Sequence, residues 1–298
     1  MDLDNNFGEV LQSLRNYKGL SITEVSEGIC SEEDLVLFEG GKKSPTLVQL
    51  ANFADKLKVE INYFFNFSMT SSFNYVVAVF NLIEKYKGER NYKAVSEIIQ
   101  REKNNPSFIH STQKQFLLWH EAICIFYLEG DKEKAVQHLK EAIRITNPEM
   151  AKLTEREAEI LVSWAIIEKD DNNYQNSVEL FEKVLEHLKD LPHLLNPKVL
   201  IKAIYALSQL LTKMGRFAES LEYCEQGIKN CLSNDLLYLF GDLHYQTGEN
   251  YFRIGNRQLG TLFMEKAASI FELQDNPEYV LLVKKELNKL IEELEVGK

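Results

Sequence analysis

The sequence predicts an all-α protein in which an N-terminal helix-turn-helix bundle precedes a right-handed helical solenoid, and three observations carry that prediction. Small residues recur in one phase: Ala135, Ser177, Ser220 and Gly260 lie 42, 43 and 40 residues apart. Each follows a Gly or Asn turn and opens a helix, as in "LEGDKEKAVQHL", "EKDDNNYQNSVELF", "TKMGRFAESLEYC" and "FRIGNRQLGTLFM". A period of this size with two amphipathic helices per unit is the mark of stacked helical repeats, which present a concave surface. The first 65 residues lack that period but carry apolar stripes at helical spacing, each closed by a cap or a glycine. Finally, 298 residues with 45% hydrophobic content suffice for two domains with cores of their own.

The head comes first. In "FGEVLQSLRNYKGL" the residues Phe7, Val10, Leu11 and Leu14 fall at i, i+3, i+4 and i+7, and Gly19 stops the helix. Ser21 with Glu24 forms a capping box that starts a second helix, with Val25 and Ile29 toward the core and Gly28 weakening its end. A third follows Ser31 through "EEDLVLFE" into Gly40 and Gly41. Ser44-Pro45 is expected to open the fourth by capping and a preset φ, with Leu47, Leu50, Ala51, Ala54 and Leu57 continuing the stripe. The aromatic segment "INYFFNF" closes the unit, giving a domain over residues 1–66 and a linker over 67–72.

From residue 73 the pattern predicts five helical pairs: 73–87 with 91–103, 112–128 with 131–145, 154–169 with 174–189, 197–213 with 216–231, and 235–253 with 256–273. A final helix from Pro277 to about Val296 caps the open end. Trp119, Ile123, Phe126, Gly130, Ala135, Leu139, Ala142 and Pro148 follow the tetratricopeptide pattern, and the other pairs are degenerate versions of it.

Composition narrows the functions open to such a chain. With 34 Lys and Arg against 45 Asp and Glu, the formal charge of −11 opposes nonspecific attraction to nucleic acid or anionic lipid. Any DNA contact must therefore be local. No basic segment followed by an apolar stretch opens the chain, and no apolar run approaches the ~20 residues of a membrane span. A cytosolic protein without membrane contact is expected. Cys30, Cys124, Cys224 and Cys231 form no CxxC pair, and the last two, two turns apart on one helix, are separated by about 10 Å. Buried thiols are expected, rather than a disulfide or a zinc site.

The stretch "LRNYKGLSITEVSEGICSEEDLVLFEGGKKSPTLVQLANFADKLKV" resembles the Xre/Cro-type DNA-binding domain through Leu14-Arg15, Lys18-Gly19-Leu20-Ser21, Phe38-Glu39, Gly41, Pro45, Leu50-Ala51 and Ala54. Joined to degenerate tetratricopeptide-like repeats, it resembles over its whole length the PlcR-like regulators, the Rgg/NprR/PlcR/PrgX group of Gram-positive bacteria. That resemblance implies a transcription factor that binds a short signalling peptide in its repeat groove and works as a homodimer on double-stranded DNA. It also implies an ion pair between Arg15 and Glu39. Ile22 departs from the family, which often has a phosphate-contacting Gln there.

The second helix of a helix-turn-helix, here the third of the head, enters the major groove and its first side chains reach base edges. The candidates are Ser31, Glu32 and Glu33, with Arg15, Lys18, Lys42 and Lys43 as the available cations. Acids there are unusual, and residues 1–66 hold six Lys and Arg against eleven Asp and Glu. A carboxylate accepts from cytosine N4 but weakens the phosphate term. The alternative reading is a protein-interaction scaffold whose acidic head no longer binds DNA. In the tetratricopeptide frame the groove is lined by the first helix of each pair, which gives His120, Cys124 and Tyr127, then Val162, Ile166 and Lys169, then Lys202, Tyr205, Gln209 and Thr212, then Asp242, Tyr245, Glu249 and Phe252. Local strings similar to ligand-contacting regions of PlcR-like proteins add Lys87, Gln246 and Tyr279. Aromatic anchors among a few amides and charges suit an extended peptide. "HEAIC" at His120–Cys124 falls short of HExxH by one zinc-binding His, and neither G-x-S-x-G nor a phosphate-binding glycine loop occurs. No enzymatic role, metal or cofactor is expected.

Overall fold

The computed structural model describes residues 4–67 and 71–296, and the centre of the expected linker, residues 68–70, lies outside them. Helices account for all of the regular structure among the described residues. They pack as two compact units that divide between Ile109 and His110.

In the first unit α1 (Asp4–Tyr17), α2 (Ile22–Ser26), α3 (Glu32–Glu39), α4 (Leu47–Lys56) and α5 (Ile61–Phe67) enclose one core. Phe7, Leu11, Leu14, Val25, Leu35, Phe38, Phe53, Leu57 and Phe64 fill it, with Val10 and Ile29 at its margin. The expected caps form at α2 and α3. The Ser21 amide donates to Glu24 Oε2 at 2.7 Å while the Glu24 amide donates to Ser21 Oγ at 3.2 Å, and the Asp34 amide donates to Ser31 Oγ at 3.1 Å. The fourth helix corrects the sequence expectation: its cap is Thr46, not Ser44. Thr46 has Gln49 three residues on, and the Thr46 amide donates to Gln49 Oε1 at 2.9 Å while the Gln49 amide returns to Thr46 Oγ1 at 3.2 Å. Ser44 has Leu47 at that place, and an apolar side chain cannot close the reciprocal box. The unit is completed by α6 (Ser71–Gly88), which starts two residues earlier than expected, α7 (Tyr92–Glu102) and a 3₁₀ turn at Pro106–Phe108.

The second unit is a ladder of paired helices. These are α8 (Ser111–Cys124) with α9 (Lys132–Thr146), α10 (Glu155–Asp170) with α11 (Tyr174–Asp190), α12 (Pro197–Lys213) with α13 (Phe217–Ser233), and α14 (Phe240–Arg253) with α15 (Arg257–Leu273), followed by α16 (Pro277–Val296). A π-helical turn at Ile125–Glu129 extends α8. Residues 235–239, expected to be helical, are not. Asp235 and Leu239 adopt φ of 52° and 55°, and Leu236, Tyr238 and Leu239 instead pack on Ile201, Cys231 and Leu243.

The recurring phase has a structural cause. The residue before each second-helix cap sits at positive φ: Gly130 at 71°, Asn172 at 63°, Gly215 at 76° and Gly255 at 83°. Gly or Asn tolerates that conformation where other residues strain. Five residues later, each small side chain lies where its helix crosses the first helix of the pair. Ser177 Oγ donates to the Ala165 carbonyl at 2.6 Å and Ser220 Oγ to the Ser208 carbonyl at 2.8 Å, both twelve residues back. At Gly260 a Cβ would lie 2.5 Å from the Phe252 ring. A larger residue at Gly260 would have to displace that ring.

Candidate functional site

Most of the residues singled out from the sequence fall in two places, the helix-turn-helix of the first unit and the first helices of the second. On the first, α2 and α3 form the helix-turn-helix pair, and Ser31, Glu32 and Glu33 are exposed at the start of α3. Lys18, Lys42 and Lys43 are exposed too, and Lys43 Nζ pairs with Asp34 Oδ1 at 2.7 Å. Arg15 must be corrected as a DNA-contacting candidate. Its Nε and Nη2 donate to Glu39 at 2.6 and 2.9 Å and its Nη1 to the Leu20 carbonyl at 3.0 Å. Hydrogen bonding to Glu39 raises its pKa further, so it ties α1 to α3 and is not free for phosphate.

The second surface is the layer of first helices. Here α10 touches α12, α12 touches α14 and α14 touches α16, while each second helix packs between the first helices on either side of it. A stack whose first helices approach one another more closely than its second helices curves with the first helices inside. The frame positions along that inner face are not equivalent. His120 and Cys124 are buried, as is Val162; Ile166, Tyr205, Gln209, Tyr245 and Glu249 at the corresponding positions are half-buried. The inner face is thus filled at α8 and accessible at α12 and α14.

His120 must be corrected as a surface contact. Its ring is packed against Phe116 and Trp119 at centroid distances of 4.1 and 4.4 Å, and Nδ1 is 2.8 Å from the Phe116 carbonyl. Val162, 1% exposed, is likewise a core residue. Tyr127 is exposed and donates to Asp170 Oδ2 at 2.6 Å. Lys87 lies in the first unit on α6, where its Nζ is 2.5 Å from Glu84 Oε2.

The remaining candidates converge. Burial, and after it the Asp242 carboxylate, raises the Tyr205 phenol, and α12 touches α14 as α14 touches α16. Gln209 Nε2 donates to Tyr205 Oη at 2.7 Å. Burial raises the Tyr245 phenol as well, followed by the nearby Glu249 and Glu286. The Tyr279 ring packs on Phe271 at 5.1 Å. Gln246 is buried behind this face and donates to Thr212 Oγ1 at 2.9 Å and to Glu249 Oε2 at 3.0 Å. Thr212 in turn donates to Asn250 Oδ1 at 2.7 Å, and Asn250 Nδ2 donates to Ser220 Oγ at 2.8 Å. Sequence reasoning missed this network. Its signal was present, because Gln246 and Asn250 are polar residues four apart on the buried stripe of α14.

Among the described residues no group of acids, histidines and cysteines has metal-binding geometry, and no helix is long and apolar enough to cross a membrane.

Comparison with known proteins places this geometry. The model of the RNPP family C-terminal domain matches residues 80–291. A comparison with curated proteins finds no match. Among solved structures, Bacillus thuringiensis PlcR in complex with the peptide PapR7 and DNA is similar at a TM-score of 0.75 and 22% identity, covering 94% of this chain and 99% of that one. The Streptococcus dysgalactiae SHP pheromone receptor Rgg2 follows at 0.65 and 17%, covering 95% and 99%. ComR from S. thermophilus in complex with DNA and its signalling peptide ComS gives 0.63 and 13%, again covering 95% and 99%. At these identities the likeness is one of fold.

Proposed function

The chain belongs to the RNPP family, and from that premise we propose that it is a cytosolic transcriptional regulator that binds operator DNA through residues 1–66 and a short signalling peptide on the inner face of its repeats. One observation carries the reading: a structure similar to this chain over 94% of its length holds a peptide and DNA together, and the half-buried tyrosines and amides of α12 and α14 offer an extended peptide anchors and hydrogen bonds. The protein acts as a homodimer, since two copies of α3 would read two half-sites one helical turn apart. Regulation then requires that the peptide favour one arrangement of the DNA-reading heads over another, because a ligand indifferent to both shifts nothing.

The test is a fluorescence anisotropy titration of the protein on operator fragments selected from its own genome, with and without the peptide encoded nearest its gene. A change in operator affinity supports the reading; identical curves with demonstrated peptide binding remove the regulatory link.

A second reading has its own support. The first turn of α3 holds Glu32, Glu33 and Asp34, Arg15 is held by Glu39 and Lys43 by Asp34, which leaves few cations for phosphate. On this reading the chain is a repeat scaffold whose head does not bind DNA. A salt series on duplex DNA separates the two: affinity that falls steeply with salt marks phosphate contacts, and undetectable binding at low salt favours the scaffold.

A further inference from the structure

In the last two repeats the recurring phase relates positions 40 residues apart, as it relates Ser220 to Gly260, so Tyr205 and Gln209 on α12 correspond to Tyr245 and Glu249 on α14. All four are half-buried. Tyr205 packs on the cluster of Ile201, Cys231 and Leu243, and Tyr245 on the cluster that holds Phe252, Met264 and Phe271. Packing of this kind leaves a ring few rotamers.

Each pair keeps the same hydrogen-bonding capacity in reserve. Gln209 Nε2 donates to Tyr205 Oη at 2.7 Å, and among the described residues neither side chain makes another hydrogen bond. The phenol therefore retains its proton to donate and the amide oxygen its lone pairs to accept. Exchanging the amide nitrogen and oxygen reverses that bond and still leaves one donor and one acceptor. On α14, Glu249 Oε2 accepts from Gln246 Nε2 at 3.0 Å and Oε1 lies 3.7 Å from Arg253 Nη2, which orients the carboxylate one turn beyond Tyr245 and leaves it lone pairs to accept more. Tyr245 Oη has no hydrogen bond among the described residues. The earlier repeats lack such a pair: Val162 and Ile166 on α10 carry no polar side-chain atom, and His120 and Cys124 on α8 are buried.

One donor and one acceptor held a turn apart match the main chain of a peptide, in which each residue carries one N–H and one C=O. A lone cation or anion would use half of each pair. We propose that Tyr205 with Gln209, and Tyr245 with Glu249, are two main-chain clamps for one extended peptide lying across α12 and α14, each donating a phenol O–H to a peptide carbonyl and accepting a peptide N–H. The assignment rests on the peptide-binding reading above and adds a register to it. Here α12 touches α14. Packed helices stand about 10 Å apart and an extended chain advances ~3.3 Å per residue, so the clamped residues are about three apart in the peptide.

The experiment begins with affinity selection by the full-length protein from a randomised synthetic heptapeptide library. The strongest binder is resynthesised with each amide N-methylated in turn, and every version is titrated by calorimetry on the wild type, Gln209→Ala, Gln209→Glu and Glu249→Ala. Methylation is expected to cost about tenfold in affinity at two amides about three residues apart. On Gln209→Ala one of those penalties falls to about threefold or less, and on Glu249→Ala the other does, because the variant has already lost the contact. Gln209→Glu keeps an acceptor and restores the penalty. Tyr205→Phe and Tyr245→Phe each weaken the unmethylated peptide by about threefold or more, through loss of the phenol donor. Penalties that none of the variants changes, or that fall on adjacent amides, overturn the clamps and leave peptide binding intact, whereas a library yielding no binder removes both. Gln209 and Glu249 are partly exposed, so circular dichroism should show folded variants, and the lost coupling reports on the site.

Discussion

The Arg15 guanidinium donates from Nε and Nη2 to both carboxylate oxygens of Glu39, at 2.6 and 2.9 Å, with only 12% and 4% of the two side chains exposed. Removing one partner strands the other charge inside the head. Glu39→Ala and Arg15→Ala are each expected to destabilise the head by about 3–5 kcal/mol, while Arg15→Met with Glu39→Leu costs much less because both charges leave together. Denaturant unfolding of the three variants checks this. A double variant as damaged as the singles would mean that the pair itself, and not the orphaned charge, carries the effect.

Close helix crossings predict a second set of losses. A Cβ at Gly8 would run into the Phe38 and Glu39 carbonyls, and one at Gly260 into the Phe252 ring. Alanine gains about 1 kcal/mol of helix propensity over glycine at such positions, and overpacking costs about 1–3 kcal/mol. At Gly8 the obstacle is backbone, so α1 and α3 must separate and the loss dominates. At Gly260 a ring can shift slightly. Gly8→Ala is therefore expected to unfold at lower denaturant than the wild type and to lose more than Gly260→Ala, and equal midpoints for all three proteins would refute the crossing argument.

How far the sequence made these features legible follows from which physics is local. The capping box at Ser21, the cap at Ser31 and the turns at Gly130, Asn172, Gly215 and Gly255 were readable because residue type alone dictates them. The same turn at Arg90, with φ of 55° before the Asn91 cap, was not, because an arginine in that conformation carries no signal. Thr46 was missed for Ser44-Pro45, where a reciprocal partner at Gln49 outweighs a favourable proline. In the inner face, frame position gave the right helices but not the exposure: His120 and Tyr205 occupy equivalent positions, and the first is buried where its ring packs on Phe116 and Trp119.

Thiol chemistry should follow burial. Desolvation pushes the Cys124 thiol up to about 12 and the Cys231 thiol up to about 11, and raises Cys224 as well. Cys30, before the cap of α3, is partly exposed. Labelling of the native protein with a chromogenic disulfide at pH 8 is expected to modify Cys30 alone, with the other three reacting only in denaturant. Fast native labelling at two or more sites would contradict the core packing.

Phosphate contacts should appear in the salt dependence of DNA binding. Each contact contributes about −0.9 to the slope of log affinity against log salt. Lys18→Ala and Lys42→Ala are each expected to reduce the slope by about one contact without altering sequence preference. Lys43→Ala should change it less, since Lys43 is paired with Asp34. A slope unmoved by Lys18→Ala and Lys42→Ala places the phosphate contacts elsewhere.

Asp242, half-buried in the first turn of α14, makes a prediction of the opposite sign from most core substitutions. Burial raises its carboxyl above the ordinary value of 3.8, so the folded protein holds that proton more tightly than the unfolded chain. A raised folded pKa contributes stability that is fully present below the unfolded value and lost as pH rises through the folded one. At neutral pH the ionised acid therefore weighs against folding, and Asp242→Asn is expected to raise the unfolding midpoint at pH 7. The gain should shrink as pH falls through the folded pKa and vanish below that ordinary value, where both side chains are neutral. His244 shifts the other way: burial lowers its pKa, so its contribution is present above about pH 6.5 and lost as pH falls below that. Differences between the wild type and Asp242→Asn, measured across pH 4 to 8, cancel the His244 term and isolate the carboxylate. A variant less stable than the wild type at pH 7 would mean that the amides at the start of α14 stabilise the ionised carboxylate by more than its burial costs.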